Sequence, residues 1–274
     1  MTILVSGATG TLGRHIVGQL VRTGQRVRAL TRTPAEAVGL PDGVELIGGD
    51  LTQPRTLEAA LSGVSAMHLL GATGHDHTPL PTGPQIVATA RAAGVRRMTV
   101  LSPGEGGELD QAVRDSGLEW TFVWPIGFMC NALGWADVIR DTAEVREPYG
   151  SRRTASADEA DVAEVIATVL ASGGHAGRRY VVSGPEALTP ADKVSAIAAA
   201  TGRDVRFTEL TGEQARRQWR AEGWPEEGIE FMLHMWATVP DTVADVTTTV
   251  RHVVGRPPRS FAQWAAAHAD YFRP

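Results

Sequence analysis

The stretch that most constrains the fold lies at the start of the chain, where an apolar segment, a glycine motif and an amphipathic segment follow one another. Residues 3–5 form a short apolar run, which is typical of a buried strand. Gly7, Gly10 and Gly13 follow at a spacing of three, and apolar residues then recur at helical spacing over 12–21. A glycine motif between a strand and a helix indicates dinucleotide binding.

Each glycine of this motif has its own expected role. Gly7 permits the tight turn after the strand, Gly10 lets the backbone approach a pyrophosphate, and Gly13 lets the helix pack close to the sheet. The helix N terminus then offers free N–H groups to the phosphates, and Thr9 and Thr11 add hydroxyl donors. The alternative is a tight turn without a ligand, which the agreement of strand, spacing and helix disfavours.

Strand-like and helix-like segments alternate through the first part of the chain. Strands are expected at 27–30, 44–47, 66–70, 98–101 and 120–124. Helices are expected at 54–61, 84–93 and 109–115. Thr52 is expected to be the N-cap of the first of these helices. The alternation predicts an α/β fold, a Rossmann doubly wound parallel sheet with right-handed crossovers.

After residue 125 this rhythm changes, and a smaller, mostly helical C-terminal lobe is expected. Further helices are predicted at 128–139 and 158–170, with one more opened by Thr189 and Pro190, and further strands at 179–182 and 205–209. The predicted organisation is a dinucleotide-binding core and a substrate-binding lobe. The core comprises 1–125, with 151–185 returning to it, and the lobe comprises 126–150 and 186–274.

Composition and charge exclude several classes of protein. The formal net charge is −5, so no basic field is present to attract nucleic acid. Cys130 is the only cysteine, so an intrachain disulfide is excluded. No basic n-region with an apolar h-region opens the chain, and no apolar run reaches about 18 residues. We therefore expect a cytoplasmic protein without a signal peptide or a membrane span.

Several short motifs occur along the chain, at 7–13, 28–32, 49–51, 116–121, 125–129 with Asn131, 161–163, 180–189 and 255–258. By these motifs the chain resembles the NmrA-like branch of the atypical short-chain dehydrogenase/reductases. It is most similar to bacterial members that act as NAD(P)H-dependent quinone or azo-dye reductases. The resemblance implies the doubly wound fold, a nicotinamide cofactor and a small conjugated substrate. The same family also contains NADP-sensing regulators that carry out no reaction.

Arg32, at the end of the second expected strand, bears on the choice of cofactor. An NAD-specific site places Asp or Glu near this position to accept a hydrogen bond from the ribose 2′-OH. This chain has Thr31 and Arg32 instead, and a guanidinium can bind a 2′-phosphate through two hydrogen bonds. NADP(H) is therefore predicted in preference to NAD(H), with a solvated surface arginine as the alternative.

The remaining cofactor contacts are expected where further strands end. Asp50 and Leu51 match the family's adenine contact, with a loop-capping aspartate as the alternative. Residues 71–73 are expected to cover the ribose and nicotinamide, with a plain turn as the alternative. The predicted cofactor-binding residues are Gly7, Thr9, Gly10, Thr11, Leu12, Gly13, Arg32, Asp50, Leu51, Gly71, Ala72, Thr73, Ser102, Pro125 and Phe128.

The catalytic pair of the ordinary family members is missing. Those members place a Tyr and a Lys four residues apart just after the fifth strand. Here the first tyrosine is Tyr149, and the only lysine is Lys193 in the second lobe. Gly106 and Asp110 occupy the positions at which NmrA-like members often carry a His or Lys ahead of a Glu. Ser102 remains as the candidate catalytic residue, a hydrogen-bond donor near the nicotinamide.

The substrate site is predicted from the aromatic and apolar residues of the lobe, with the segment 125–129 running past the nicotinamide. Aromatic walls suit flat, conjugated substrates, and packing in the lobe core is the alternative. The predicted substrate-binding residues are His75, Phe128, Met129, Asn131, Trp135 and Trp236. The helices between Trp219 and Trp236 and the pair Tyr149–Gly150 are expected to border the same cleft. His75 and His77 lack an obvious third ligand, so no metal site is predicted.

The function predicted is NADPH-dependent hydride transfer to a flat conjugated acceptor (quinone-like, azo, enone or imine) without a Tyr–Lys pair. A catalytically silent NADP(H)-sensing regulator that binds a partner protein is the alternative. A reductase that tailors a biosynthetic product is a third possibility. A monomer or weak homodimer is expected, with Phe261, Trp264 and Phe272 packing within the chain or across a two-fold interface.

Overall fold

The computed structural model describes residues 1–73 and 78–274, and the chain divides into two compact units. Unit 1 comprises Met1–Pro125, Glu159–Val182 and Thr249–Arg256. Unit 2 comprises Ile126–Asp158, Ser183–Thr248 and Pro257–Pro274. His75, which the sequence analysis assigned to the substrate site, lies outside the described residues.

Strands and helices alternate along unit 1, whereas unit 2 is mostly helical. The strands are β1 (Thr2–Val5), β2 (Arg26–Thr31), β3 (Glu45–Gly48), β4 (Ala66–Leu70), β5 (Ala72–Thr73), β6 (Thr78–Pro79), β7 (Arg97–Leu101), β8 (Glu119–Pro125), β9 (Glu144–Pro148), β10 (Arg178–Val182) and β11 (Arg206–Leu210). The α-helices are α1 (Thr11–Arg22), α2 (Glu58–Leu61), α3 (Gly83–Ala92), α4 (Glu108–Asp115), α5 (Ala136–Thr142), α6 (Glu159–Ala171), α7 (Pro190–Thr201), α8 (Gly212–Ala221), α9 (Glu226–Thr238), α10 (Thr249–Val254) and α11 (Phe261–Ala267). Short 3₁₀ helices cover Pro34–Glu36, Pro54–Leu57, Met129–Trp135, Asp241–Ala244 and Ala269–Phe272.

Unit 1 is built on a seven-stranded sheet in which every described pairing is parallel. The strand order is β3-β2-β1-β4-β7-β8-β10. The chain runs outward from β1 to β3 and then restarts at β4 on the other side of β1. The direction of winding therefore reverses between β1 and β4, which is where ligands bind in sheets of this kind. The predicted doubly wound parallel sheet is confirmed.

Helices cover both faces of this sheet, so its strands are apolar on both sides. Leu4 and Met67 pack with Ile86 of α3 in one core cluster. Ile3 and Val5 alternate with Leu4 and point to the opposite face, where α1 packs on α6. Burial on both faces explains why the central strands are continuous apolar runs instead of alternating ones.

Unit 1 takes in one segment that the sequence analysis placed in the lobe, namely α10 and the two residues after it. The Thr249 hydroxyl donates to the carbonyl of Val181 at 2.7 Å, which ties α10 to β10. Arg256 forms ion pairs with Asp161 and Glu164 of α6. In contrast, residues 151–158 and 183–185, which were expected to return to the core, cluster with unit 2.

Unit 2 contains a parallel pair of strands, β9 and β11, and β9 was not predicted. The single helix expected over 128–139 is also wrong, because this stretch forms the 3₁₀ helix Met129–Trp135 followed by α5. Asn131 and Gly134 lower its helix propensity. The core of the unit is formed mainly by Ile139, Val194, Ile197, Phe261, Trp264 and Phe272. Over residues 1–73 and 78–274, no helix is both long and apolar enough to cross a membrane.

Candidate cofactor and substrate sites

The glycine loop between β1 and α1 has the geometry of a dinucleotide cradle. Gly7 has a φ of +63°, and a Cβ at Gly13 would lie 2.0 Å from the Gly7 carbonyl oxygen. A Cβ at Gly10 would meet only that same oxygen within 4 Å among the described residues, at 3.4 Å, so this side of the backbone is open. Gly10 caps α1 without any side-chain hydrogen bond, which leaves the first-turn N–H groups to a phosphate.

The loop lies at the point where the winding of the sheet reverses. Gly7 follows β1, and Gly71 follows the neighbouring strand β4. The Ser6 hydroxyl accepts a hydrogen bond from the Leu70 N–H at 2.9 Å and so joins the ends of these two strands. A Cβ at Gly71 would lie 2.5 Å from the carbonyl oxygen of Leu101, so only glycine fits here without a shift of the backbone. The predicted contacts Gly71 and Ala72 therefore follow the carboxyl end of β4, beside the glycine loop that follows β1.

Two arginines bear on the choice of cofactor, of which the sequence analysis named only Arg32. Arg32 follows β2 and is exposed. Arg14 was missed; its Nε donates to the carbonyl of Thr9 at 2.8 Å, and its Nη1 donates to the carbonyl of Val38. Arg14 thus bridges the glycine loop and the segment after β2. A basic side chain in the first turn of a helix is unfavourable next to the positive end of the helix dipole. This unusual position could have indicated from the sequence that Arg14 has a specific role.

Asp50 caps its own loop. Its Oδ1 accepts hydrogen bonds from the N–H and the hydroxyl of Thr52, both at 2.8 Å. These bonds, with a smaller contribution from Arg32, hold the pKa of Asp50 below its usual value. The N-cap assignment of Thr52 is wrong, since the following 3₁₀ helix begins at Pro54 and its N-cap position is Gln53, whose side chain makes no capping hydrogen bond. The structure matches the loop-capping alternative for Asp50, and its adenine contact stays a prediction, as does that of Leu51.

Ser102 is the predicted catalytic residue, and it lies buried at the end of β7. Its hydroxyl donates to Oδ1 of Asp110 at 2.8 Å and accepts a hydrogen bond from the Gly104 N–H at 3.1 Å. The other carboxylate oxygen of Asp110 accepts from the Gly106 N–H at 3.2 Å. The Ser102 proton is therefore held by a carboxylate, and the pair closes the loop between β7 and α4.

The segment from Pro125 to Met129 leaves β8 and enters unit 2. Phe128 is half-buried and pairs with Ala157 through an isolated parallel bridge. The Met129 side chain is 2% exposed and packs in the core of unit 2, so in this structure it is a core residue. Asn131 is exposed. Of the predicted substrate contacts on this segment, Phe128 and Asn131 remain accessible.

Unit 2 also holds a polar cluster that the sequence analysis did not predict. Lys193 Nζ donates to the hydroxyls of Thr154 at 2.7 Å and Ser156 at 3.1 Å. Burial lowers the pKa of Lys193 to about 8, although the Glu147 carboxylate opposes this shift. Burial likewise raises the pKa of Glu147, which accepts a hydrogen bond from the Trp135 indole at 2.6 Å. Trp135, a predicted substrate contact, is thus fixed by a buried carboxylate.

A second group in unit 2 joins Tyr149, Arg152 and Trp236. The Arg152 guanidinium carbon lies 6.0 Å from the ring centroid of Tyr149 and 5.9 Å from that of Trp236. Trp236 is therefore a neighbour of the Tyr149–Gly150 pair, as expected for residues that border one cleft. Trp219 differs, because it is 8% exposed and packs in a core cluster with Leu210 and others. Trp219 therefore matches the alternative of packing in the lobe core.

Over the part of the chain that the structure describes, no group of three His, Cys, Asp or Glu side chains is arranged to hold a metal ion. The geometry of the glycine loop, its open helix N terminus and its position in the sheet together define a dinucleotide-binding protein.

Comparison with known proteins agrees with this class. A family described as NAD(P)H-binding matches residues 7–108. The (4-alkanoyl-5-oxo-2,5-dihydrofuran-3-yl)methyl phosphate reductase of Streptomyces griseus is 39% identical, with 99% of each chain covered. The NAD(P)H azoreductase of Xenophilus azovorans is 38% identical, with 98% of this chain and 99% of the relative covered. Among solved structures, the triphenylmethane reductase of Citrobacter sp., in complex with NADP(H), superposes with a TM-score of 0.83 at 22% identity, covering 98% of this chain and 100% of the other.

These findings establish the family. The chain belongs to the NmrA-like branch of the atypical short-chain dehydrogenase/reductases, as its motifs had indicated. It is an NAD(P)H-dependent reductase.

Proposed function

We propose that the protein transfers hydride from NADPH to a flat conjugated acceptor: a quinone-like, azo, enone or imine compound. The observation that carries the proposal is an intact dinucleotide loop in a chain without the Tyr–Lys pair of ordinary members. The relatives support the acceptor class, because two of them are named for reducing an azo compound and an unsaturated furanone phosphate.

The residues of the chain supply binding and positioning in this proposal. Bound NADPH supplies the hydride. The glycine loop and the N terminus of α1 hold the pyrophosphate through backbone N–H groups. Conjugated acceptors spread the charge that they gain, so water is a sufficient proton source and a tyrosine acid is not required. The main contribution of the protein is then to hold donor and acceptor carbon at about 3–3.5 Å.

The proposed preference for NADPH over NADH rests on Arg32 and Arg14. Arg32 is exposed beyond β2, and Arg14 ties the glycine loop to the segment that follows β2. A charge-assisted hydrogen bond contributes about 1.5–3 kcal/mol, which corresponds to a roughly ten- to hundredfold preference. We expect Arg32→Ala to remove most of this preference. Fluorescence titration with NADPH and NADH decides it, and equal affinities in the wild type would refute the assignment.

Steady-state oxidation of NADPH with quinones, azo dyes, enones and cyclic imines tests the proposed reaction. Turnover on at least one class is expected. Tight NADP binding without turnover on any of them would instead favour a regulator that senses NADP(H).

We further propose a cytoplasmic monomer or weak homodimer. The aromatic residues considered for a two-fold interface do not support one, because Phe261, Trp264 and Phe272 are each at most 1% exposed within unit 2. Light scattering at several protein concentrations measures the oligomeric state.

A further inference from the structure

The feature that the proposed function leaves unexplained is the side chain of Arg152. Its Nη1 atom is buried and has no hydrogen-bond partner among the described residues. Nor does any carboxylate of the described residues form an ion pair with the guanidinium. A buried cationic nitrogen without a partner is unfavourable by several kcal/mol in an apolar environment. Nε and Nη2 are likewise without a hydrogen-bond partner among the described residues, so no atom of the guanidinium is satisfied by this part of the chain.

The guanidinium is held in place by the two aromatic rings beside it. The ring centroids of Tyr149 and Trp236 lie 6.0 and 5.9 Å from its central carbon, within the range of a cation–π contact. These contacts do not satisfy its N–H groups, which point along the plane of the guanidinium. Of its three nitrogens, only Nη1 is both buried and unpartnered, so the remaining edge of the fork reaches the surface.

Backbone strain at Tyr149 is a second sign that the group of Tyr149, Arg152 and Trp236 has a function. Tyr149 has a φ of +58°, a left-handed conformation that bulky residues rarely adopt. Three hydrogen bonds hold it there. The Tyr149 hydroxyl donates to the Leu233 carbonyl at 3.2 Å, the Arg152 N–H donates to the Tyr149 carbonyl at 3.1 Å, and the Gly150 N–H donates to Glu209 at 2.9 Å. The Tyr149 ring lies beside the Arg152 guanidinium, with its centroid 6.0 Å from the central carbon.

Arg152 differs in burial from the two residues beside it in the sequence. Ser151 and Arg153 are exposed, whereas Arg152 and Thr154 are half-buried. The Arg152 side chain is therefore directed away from the solvent that surrounds its two neighbours.

We propose that Arg152 is a specificity residue that binds an oxyanion on the acceptor: a carboxylate, sulfonate or phosphate carried by an aromatic or conjugated ring. The open edge of the guanidinium matches a planar or tetrahedral oxyanion through two parallel hydrogen bonds. Tyr149 and Trp236 flank it with faces on which a flat ring stacks. The proposal rests on the proposed reduction of conjugated acceptors and narrows it to anionic ones.

A matched pair of acceptors tests this assignment. A naphthoquinone with a propionate side chain and its methyl ester have the same reacting ring, because the methylene groups insulate it from the carboxylate. With saturating NADPH, the wild type should show a KM for the propionate at least about tenfold below that for the ester. Arg152→Gln should raise the KM for the propionate by about ten- to hundredfold and that for the ester by less than about threefold.

The control is an arginine-to-glutamine substitution at the exposed position next to Arg152. Arg153 is exposed and one residue away, so Arg153→Gln should leave both KM values as in the wild type. Arg152→Lys retains the charge without the fork and should give an intermediate KM for the propionate. Equal KM values for the two acceptors in the wild type, or an equal rise for both in Arg152→Gln, would overturn the proposal.

Failure of the reaction and failure of the anion site are distinguishable. If the wild type reduces neither quinone, calorimetric titration with naphthalene propionate and its methyl ester still measures the site in the NADP-bound protein. Preferential binding of the propionate that is lost in Arg152→Gln and retained in Arg153→Gln supports it, and equal binding of both compounds refutes it. Thermal unfolding of Arg152→Gln shows whether the variant is folded, and if it is not, Arg152→Lys carries the test.

Discussion

The candidate sites of unit 1 and unit 2 are made of different parts of the chain. The glycine loop of unit 1 is one short continuous stretch that offers backbone N–H groups and space at Gly7, Gly10 and Gly13. The proposed acceptor site of unit 2 is made of side chains from segments that are far apart in sequence, with Tyr149 and Arg152 on one and Trp236 on the other. A cofactor bound by backbone geometry is encoded locally, whereas an acceptor bound by side chains depends on how distant segments pack.

This difference separates the effects of substitution. In unit 1 the cofactor is bound by the shape of the backbone, so the added volume of a single Cβ is enough to disturb folding or cofactor binding. In unit 2 the proposed binding of the acceptor rests on the charge and shape of single side chains, so substitutions there should change which acceptors are used while the affinity for NADPH stays constant.

The largest effect is expected from a pair of glycine substitutions in unit 1. A Cβ at Gly13 would lie 2.0 Å from the Gly7 carbonyl oxygen, so Gly13→Ala should lower the free energy of unfolding by about 3 kcal/mol or more. A Cβ at Gly10 lies at 3.4 Å from the same atom, so Gly10→Val should fold. It should nevertheless bind NADPH about a hundredfold more weakly, because its side chain fills the space of the pyrophosphate.

Urea unfolding and NADPH titration of both variants measure these two effects separately. A stable Gly13→Ala protein that binds NADPH as tightly as the wild type would show that the loop is not the close-packed cradle described above. Normal NADPH binding by Gly10→Val would place the pyrophosphate elsewhere.

The pH dependence of stability should differ between the two units, and its largest contribution in unit 1 is expected from His68. This residue is fully buried in β4, and burial lowers its pKa from 6.5 to about 3. The unfolded histidine takes up a proton as the pH falls below 6.5, while the folded one remains neutral. The unfolded state then binds more protons, so the stability present above pH 6.5 is lost as the pH falls toward 3, by about 1.4 kcal/mol per pH unit.

His68→Gln tests this origin, because glutamine can keep a hydrogen bond to the Thr99 hydroxyl, which lies 2.9 Å from His68 Nδ1, without titrating. Unfolding in urea at pH 7, 6, 5 and 4 should show a shallower loss of stability for the variant than for the wild type. Parallel curves for the two proteins would assign the acid sensitivity to other groups.

In unit 2 the corresponding group is Lys193, and its window lies on the alkaline side. Burial lowers its pKa from 10.5 to about 8. Between these two values the unfolded lysine keeps its proton while the folded one loses it, so stability should rise with pH across that window. Below pH 8 the lysine is charged in both states, and the unfavourable burial of the charge is constant.

Lys193→Met should remove this alkaline rise. Urea unfolding at pH 8, 9 and 10 gives the slope, and only the difference between wild type and variant is assigned to Lys193. A wild-type slope that survives in Lys193→Met would mean that another group titrates in this window.

The parts of the molecule that could be predicted from the sequence are those set by local pattern. The strand, glycine and helix order at 3–21 is one example, and the capping box at Thr189 is another, since its hydroxyl accepts from the Asp192 N–H and the Asp192 carboxylate accepts from the Thr189 N–H. β9 could not be predicted, because its partner β11 lies about sixty residues later and the strand is stabilised only by that pairing. Thr52 is not the cap because the helix begins two residues later, at Pro54, and the Thr52 hydroxyl donates to the Asp50 carboxylate instead.

The same reasoning explains the missed site residues. Lys193 was noticed in the sequence only as a residue absent from unit 1, and its two hydroxyl partners lie at 154 and 156. The partner ring of Arg152 at Trp236 lies on α9, far along the chain. Side-chain sites of this kind have no period or spacing in the sequence, so no pattern indicates them.

The smallest effect on the reaction is expected from Ser102→Ala. The substitution takes a hydrogen-bond donor from Asp110 and an acceptor from the Gly104 N–H, both in the loop after β7. Leaving such groups unsatisfied costs about 1–3 kcal/mol of stability. The Ser102 proton already belongs to the hydrogen bond with Asp110, so kcat with a quinone should fall by less than about tenfold while the melting temperature drops. Asp110→Asn should lower the melting temperature in the same way, because it weakens the same loop. If Ser102→Ala instead lowered kcat by about a hundredfold or more at an unchanged melting temperature, Ser102 would act on the acceptor as the sequence analysis predicted, and unit 1 would supply chemistry as well as binding.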